Sequence, residues 1–177
     1  MNIFLPNGDT FKSIHLDNTS SINRDILNGF LSMNEDQYQR MSHLIKGRYE
    51  NIYINSDDIS ALQALLIQIK REISSYINVQ TESIKFGFWF NAMQPEQSTS
   101  RHCHDDFDEV LSGVYYIKVP ENSGDLILYA NDTCTIKPEE GLLVLFSPAL
   151  EHEVLKNESQ EMRLSIGFNA CIYSPSD

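Results

Sequence analysis

The sequence predicts an α+β fold: a C-terminal β-sandwich, jelly roll or small barrel, with N-terminal helices laid against one of its faces. Three observations predict it. The hydrophobic period changes from helical to two near residue 82. Upstream of that point, "NSDDISALQALLIQIKREISSYI" repeats apolar residues at three- and four-residue steps. Downstream, a series of short β-branched or aromatic runs is divided by turn signals.

Taken in order, "LPNGDTF" reads as a tight turn between short extended pieces, because Asn7-Gly8 readily supplies positive φ. Helices are expected over about 21 to 33 and 34 to 46, followed by a half-buried strand in "YENIYI" (49 to 54). The clearest helix comes next. Ser56 or Asp57 is expected to cap it, and Ile59, Leu62, Leu65, Leu66, Ile69 and Ile73 form a stripe that packs into a core.

From residue 83 the strand runs are "IKFGFWFNA", "LSGVYYIKV", "DLILYA", "CTIKP", "GLLVLFS", "HEVLK" and "MRLSIGFNA". The breaks "PENSGD", "ANDT" and "PEEG" are turn chemistry. With 177 residues, 41% of them apolar, and neither repeat nor linker, the chain is expected to form one domain, residues 1–177. Residues 1–82 make its mainly helical part and 83–173 its β-core.

A net charge of −12 sets a mean field that repels phosphate backbones and anionic headgroups, so neither nucleic acid nor a membrane is expected as a partner. A buried basic pocket can still attract a small anion. No basic-then-apolar leader opens the sequence and no apolar run approaches membrane-spanning length. Cys103, Cys134 and Cys171 lack any CxxC spacing and read as reduced thiols, which points to the cytoplasm. Cys103 is expected to be a small half-buried strand residue, with soft metal ligation as its alternative role.

The chemistry is concentrated in "RHCHDDFDEV", residues 101 to 110. His104 and Asp106 are two residues apart, so an extended backbone points both to one face, and His102 shares that parity. His152 supplies another imidazole from far down the chain. Two imidazoles and a carboxylate on one side of a metal leave the opposite positions open, as in non-haem Fe(II) oxygenase sites.

Arg163 and Ser165 in turn share one strand face. The guanidinium is a planar fork matched to a carboxylate, and the hydroxyl adds a further donor, so an organic diacid is a fitting ligand. An arginine on an otherwise apolar strand calls for a buried anion. Only one of Tyr115 and Tyr116 can face such a pocket; Tyr116, on the face of Ser112 and Val114, is the candidate.

The order His-x-Asp, "SGVYYIKVPENSGDLILYA", "IKPEEGLLVLFSPALEHEV", then Arg-x-Ser in "RLSIGFN" resembles the 2-oxoglutarate/Fe(II)-dependent oxygenases. It is most similar to a small bacterial and phage group with an "SGVYY" strand. The resemblance covers about residues 83 to 172. It implies a double-stranded β-helix, a jelly-roll relative, in which His104, Asp106 and His152 hold Fe(II). It also implies that 2-oxoglutarate chelates the iron through its keto-acid end while Arg163, Ser165 and Tyr116 hold its far carboxylate. "WFNAMQ" matches the segment before the metal pair, which turns Asn91 toward cosubstrate or substrate. In that group the second member of the pair, often histidine, stands six residues before the serine of "SGVYY"; Asp106 has that offset from Ser112. The register favours His104 with Asp106, while "HCH" keeps His102 with His104 as the competing pair.

The implied reaction is oxidative decarboxylation of 2-oxoglutarate with O₂, coupled to hydroxylation of a C–H bond on a small molecule or an amino-acid or peptide side chain. The N-terminal half, particularly "GRYENIYI", is where substrate specificity is expected. A homodimer is compatible with the sequence. Two other readings stay open. A cupin-type site would use His102, His104, Glu109 and His152 without 2-oxoglutarate and leaves Arg163 and Ser165 unexplained. A jelly-roll binding module would have no catalysis and no use for the ligands.

Overall fold

The computed structural model describes residues 5, 8–41, 51–104 and 108–173. Two antiparallel sheets face each other. The larger is built from β1 (Phe11–His15), β2 (Gln39–Met41), β3 (Asn51–Tyr53), β4 (Ile84–Met93), β6 (Glu109–Lys118), β9 (Leu142–Phe146) and β11 (Arg163–Ile172), in the order β1-β9-β6-β11-β4-β3-β2. The smaller has the order β5-β10-β7-β8, with β5 at Thr99–His102, β7 at Leu126–Tyr129, β8 at Thr133–Ile136 and β10 at Glu151–Val154. Helices α1 (Ser20–Ser32) and α2 (Ser60–Ile77) cover the outer face of the larger sheet. This is the expected α+β arrangement around a double-stranded β-helix.

The expected stripe of α2 makes the helix-side core. Leu62, Leu65, Ile69 and Ile73 are fully buried, with Ile59 just before the helix and Leu66 packed at the edge. Each full burial contributes about 1.5–3 kcal/mol. The cap is not the expected one: the helix starts at Ser60 after an extended Ile59, and no side chain caps it. Asn55, Asp57 and Asp58 instead form a turn of their own, in which Asn55 Oδ1 accepts from the Asp57 amide and Asp58 Oδ2 from the Asn55 amide. Local side-chain bonding of this kind competes with capping.

The helix expected over 34 to 46 is also corrected. Residues Glu35–Gln37 form a single 3₁₀ turn, opened by an Asn34/Gln37 capping box, and Gln39–Met41 then pair with β3. Ladder pairing outweighs the weak helical preference of this segment. Residues 42–50 lie outside the described residues, as does Asn7 of the predicted turn. Gly8 does take φ +88°, and its amide donates to the Leu5 carbonyl. Among the described residues, no helix is long and apolar enough to cross a membrane.

Strand β11 organises the interior. Lying between β6 and β4, it sends Leu164, Ile166, Phe168 and Ala170 to the helix-side core, and Arg163, Ser165, Gly167 and Asn169 to the space between the sheets. Period two makes this division all-or-none: slipping the register by one residue would exchange the two sets. A second apolar cluster, including Leu128, Val144, Phe146 and Leu150, closes one end of the inter-sheet space. The space between the sheets also holds a cavity with polar and apolar walls.

Candidate metal and anion site

The histidines are positioned by backbone pairing. In the antiparallel pair of β5 and β10, His102 stands opposite His152. His102 Nδ1 lies 2.7 Å from the Ser100 carbonyl, and His152 Nδ1 lies 3.0 Å from the Leu150 carbonyl. A carbonyl only accepts, so each Nδ1 carries the proton and each Nε2 keeps its lone pair for the cavity. His104 follows the end of β5, where its amide donates to the Pro148 carbonyl over 2.8 Å. Its ring centroid lies 5.0 Å from that of His102 and 5.1 Å from that of His152.

One donor atom from each of the three rings lies within 4.8 Å of the other two. Burial, and then the proximity of His102 and His104, pushes the His152 imidazole down to about 3. It is therefore neutral, with its lone pair available, throughout the ordinary pH range. Three imidazoles converge on one point, and two are held in the tautomer a metal requires. That donor set fits a divalent iron ion.

The anion end is built on three adjacent strands. Ser165 of β11 is in register with Tyr116 of β6 on one side and Asn91 of β4 on the other. Arg163, two residues before Ser165, is only 2% exposed. Its Nη1 donates to the carbonyls of Ser123 (3.1 Å) and Gly124 (2.8 Å), which fixes the guanidinium plane. Gly124 has φ +90°, and a Cβ there would come 2.1 Å from the Leu155 carbonyl oxygen, so only glycine fits. Burial drives the Tyr116 phenol up to about 12 against the opposing pull of Arg163. It stays a neutral O–H donor. A buried cation beside hydroxyl donors suits the far carboxylate of a diacid.

Both ends open on one cavity of about 440 Å³, lined among others by His102, His104, His152, Tyr116, Arg163 and Ser165. Asn91 lines it too, as expected from "WFNAMQ". Tyr115 faces the other way and donates to Asn23 Oδ1 on α1 over 2.8 Å, so Tyr116 is the tyrosine of the pocket. Asp106, expected as the carboxylate ligand, lies outside the described residues, as does Asp105. Asp108 is exposed. Cys103 is exposed in the loop after β5 rather than half-buried on a strand, because the strand ends one residue earlier. Glu109 reaches the cavity wall but is not part of the metal-ready group, so the four-ligand cupin arrangement is incomplete among the described residues.

Asn51 and Tyr53 of "GRYENIYI" stand on the wall, in the stretch where specificity was expected, whereas Trp89 and Asn169 are wall residues that went unread in the sequence. Two-residue parity was a usable signal for both, since Trp89 shares a strand face with Asn91, and Asn169 with Ser165. Trp89 approaches β11 closely at Gly167, where a Cβ would come 2.7 Å from the indole.

Residues 87–135 and 129–169 match the model of a protein family described as "Putative 2OG-Fe(II) oxygenase". No curated protein matches the chain in sequence. Solved structures share its fold. A prolyl-4-hydroxylase from Pseudomonas putida is 19% identical with a TM-score of 0.64, over 93% of this chain and 88% of that one. A prolyl hydroxylase from Trichoplax adhaerens, solved with a hypoxia inducible factor oxygen degradation domain peptide fragment, is 19% identical with a TM-score of 0.75, over 94% and 85%. A non-haem α-ketoglutarate-dependent epimerase from nogalamycin biosynthesis is 13% identical with a TM-score of 0.68, over 92% and 76%.

Proposed function

We propose, taking as premise that the β-core is that of a 2-oxoglutarate/Fe(II)-dependent oxygenase, that the chain hydroxylates a C–H bond with iron held by His102, His104 and His152. It is a dioxygenase with Fe(II) as cofactor and 2-oxoglutarate as cosubstrate. The observation carrying the site assignment is that three imidazoles, with donor atoms within 4.8 Å of one another, and a buried arginine line one cavity.

Bound iron and 2-oxoglutarate supply the oxidation, in which O₂ and the keto acid give succinate, CO₂ and a hydroxylated substrate. The residues of the chain bind, orient and exclude water. His102 and His152 are aimed by the carbonyls of Ser100 and Leu150. Arg163 takes the distal carboxylate, with its plane set by Ser123 and Gly124, while Tyr116 and Ser165 offer hydroxyl donors beside it. Phe146, 4.7 Å from the His152 ring, keeps the metal side apolar and dry. Asn91 stands level with Ser165 and serves the cosubstrate. The substrate is a small molecule or an amino-acid or peptide side chain. Three free cysteines support a reducing compartment, and we place the protein in the cytoplasm.

The test is direct. Anaerobic protein given Fe(II) and 2-oxoglutarate should develop a metal-to-ligand charge-transfer band, and in air it should release succinate slowly without substrate. Protein showing neither is not an oxygenase of this kind.

A further inference from the structure

The reaction cavity continues beyond the histidines. A second depression of about 500 Å³ opens beside it, and the two share Tyr53, Trp89, Glu109 and Asn169 as common walls. From Trp89 it runs along β4 past Gly87 to Lys85. Four residue steps of strand span about 13 Å. Resting on the oxygenase reading above, we infer that this trough seats an extended peptide segment, and that the oxidised carbon belongs to a side chain of that segment and not to a free metabolite.

The Arg163 end of the cavity is committed to the diacid, so the substrate reaches the metal from the Trp89 wall. A run of about 13 Å exceeds a single amino acid and matches about four residues of extended chain. The polar lining is suited to the same ligand: Asn51 and Asn169 present carboxamides to the reaction cavity, the first donating its Nδ2 to the Tyr53 hydroxyl and the second accepting from Ser112 Oγ at its Oδ1. That leaves the Asn51 carbonyl as an acceptor and the Asn169 amide as a donor, together the complement of a peptide group. The floor is bare at Gly87, which is exposed and where an added Cβ would meet nothing within 4 Å. Charge adds a preference. Glu109 is on the shared wall, exposed Asp108 precedes it, and the chain carries −12, while Lys85 is turned toward the Tyr173 ring 5.9 Å away. The segment therefore carries a basic residue close to the oxidised one.

The experiment uses the full chain and two probes, a pooled random octapeptide library and a pool of the free amino acids. The peptides should raise succinate release by about tenfold or more and should shift the fluorescence of Trp89, the single tryptophan; the amino acids should do neither. Gly87→Leu fills the trough and should abolish both responses, with 2-oxoglutarate affinity and the melting temperature as folding controls. Glu109→Lys should move the preferred peptides from basic to acidic, which a purely structural role for Glu109 would not do. Equal stimulation by free amino acids, an unchanged peptide response in Gly87→Leu, or no peptide response at all would overturn the inference. A wild-type protein that binds peptide by Trp89 fluorescence yet never binds 2-oxoglutarate would overturn the oxygenase reading instead.

Discussion

His102 and His152 face each other across the β5–β10 pair, each ring holding its Nδ1 against the carbonyl two residues before it. Two strands thus present the same local device from opposite directions, and His104 closes the third side. With Trp89 only 5.6 Å from His104, Co(II) binding should quench the tryptophan fluorescence. His102→Ala and His152→Ala should each weaken binding by more than about 100-fold, beyond the roughly 10–100-fold typical of losing an outer partner. Asp106→Ala tests the carboxylate expected from the sequence: Co(II) binding lost in that variant and kept in His102→Ala would give the set His104, Asp106 and His152.

Arg163 should matter to the cosubstrate and not to the metal. Arg163→Lys keeps the charge but loses the planar fork and its bonds to Ser123 and Gly124. Charge-assisted hydrogen bonds contribute about 1.5–3 kcal/mol, so 2-oxoglutarate affinity should fall by roughly 10- to 150-fold. Co(II) affinity measured on the same sample should be unchanged. An unaltered 2-oxoglutarate Kd would place the diacid elsewhere.

Tyr116 makes the apo protein sensitive to alkali. Its phenol ionises near 10 when unfolded and near 12 when folded, so the folded state binds the proton more tightly. That contribution is complete below pH 10 and disappears as pH rises through 12. The gap is worth about 3 kcal/mol. Urea midpoints at pH 8 and pH 11 should therefore fall further for wild type than for Tyr116→Phe. Parallel losses in the two proteins would mean that the phenol titrates normally.

Gly167→Ala should displace the indole that rests on the strand, because the new methyl would be 2.7 Å from the ring. Overpacking of this kind costs about 1–3 kcal/mol. The variant should show a red-shifted Trp89 emission and weaker Co(II) quenching, and its urea midpoint should drop. Unchanged emission would indicate that the ring is held by something other than this close approach.

Much of this site was readable because strands alternate. Arg163 with Ser165, and Tyr116 with Val114, were placed on one side by parity, and they line the same cavity. Where the reading went wrong, distant pairing had intervened. Residues after Asn34 carry enough helical pattern to suggest a helix, yet Gln39–Met41 become a strand because β3 offers a ladder. "GRYENIYI" was singled out as a whole, but which of its residues face the cavity was not legible, since nothing local tells a cavity wall from an outer face; the structure puts Asn51 and Tyr53 there.

Period and spacing alone indicated the apolar stripe of α2, the strand series after residue 82, and histidines and an arginine suited to a metal and a diacid, while the family resemblance implied iron and 2-oxoglutarate. These are local properties, set by which side chains share a face. The tertiary structure decided which members of that list meet. It paired His102 with His152, turned Tyr116 inward and Tyr115 onto α1, and ran the cavity out along β4. Those choices depend on inter-strand register, which is set by burial over the whole sheet and not by any short stretch of chain.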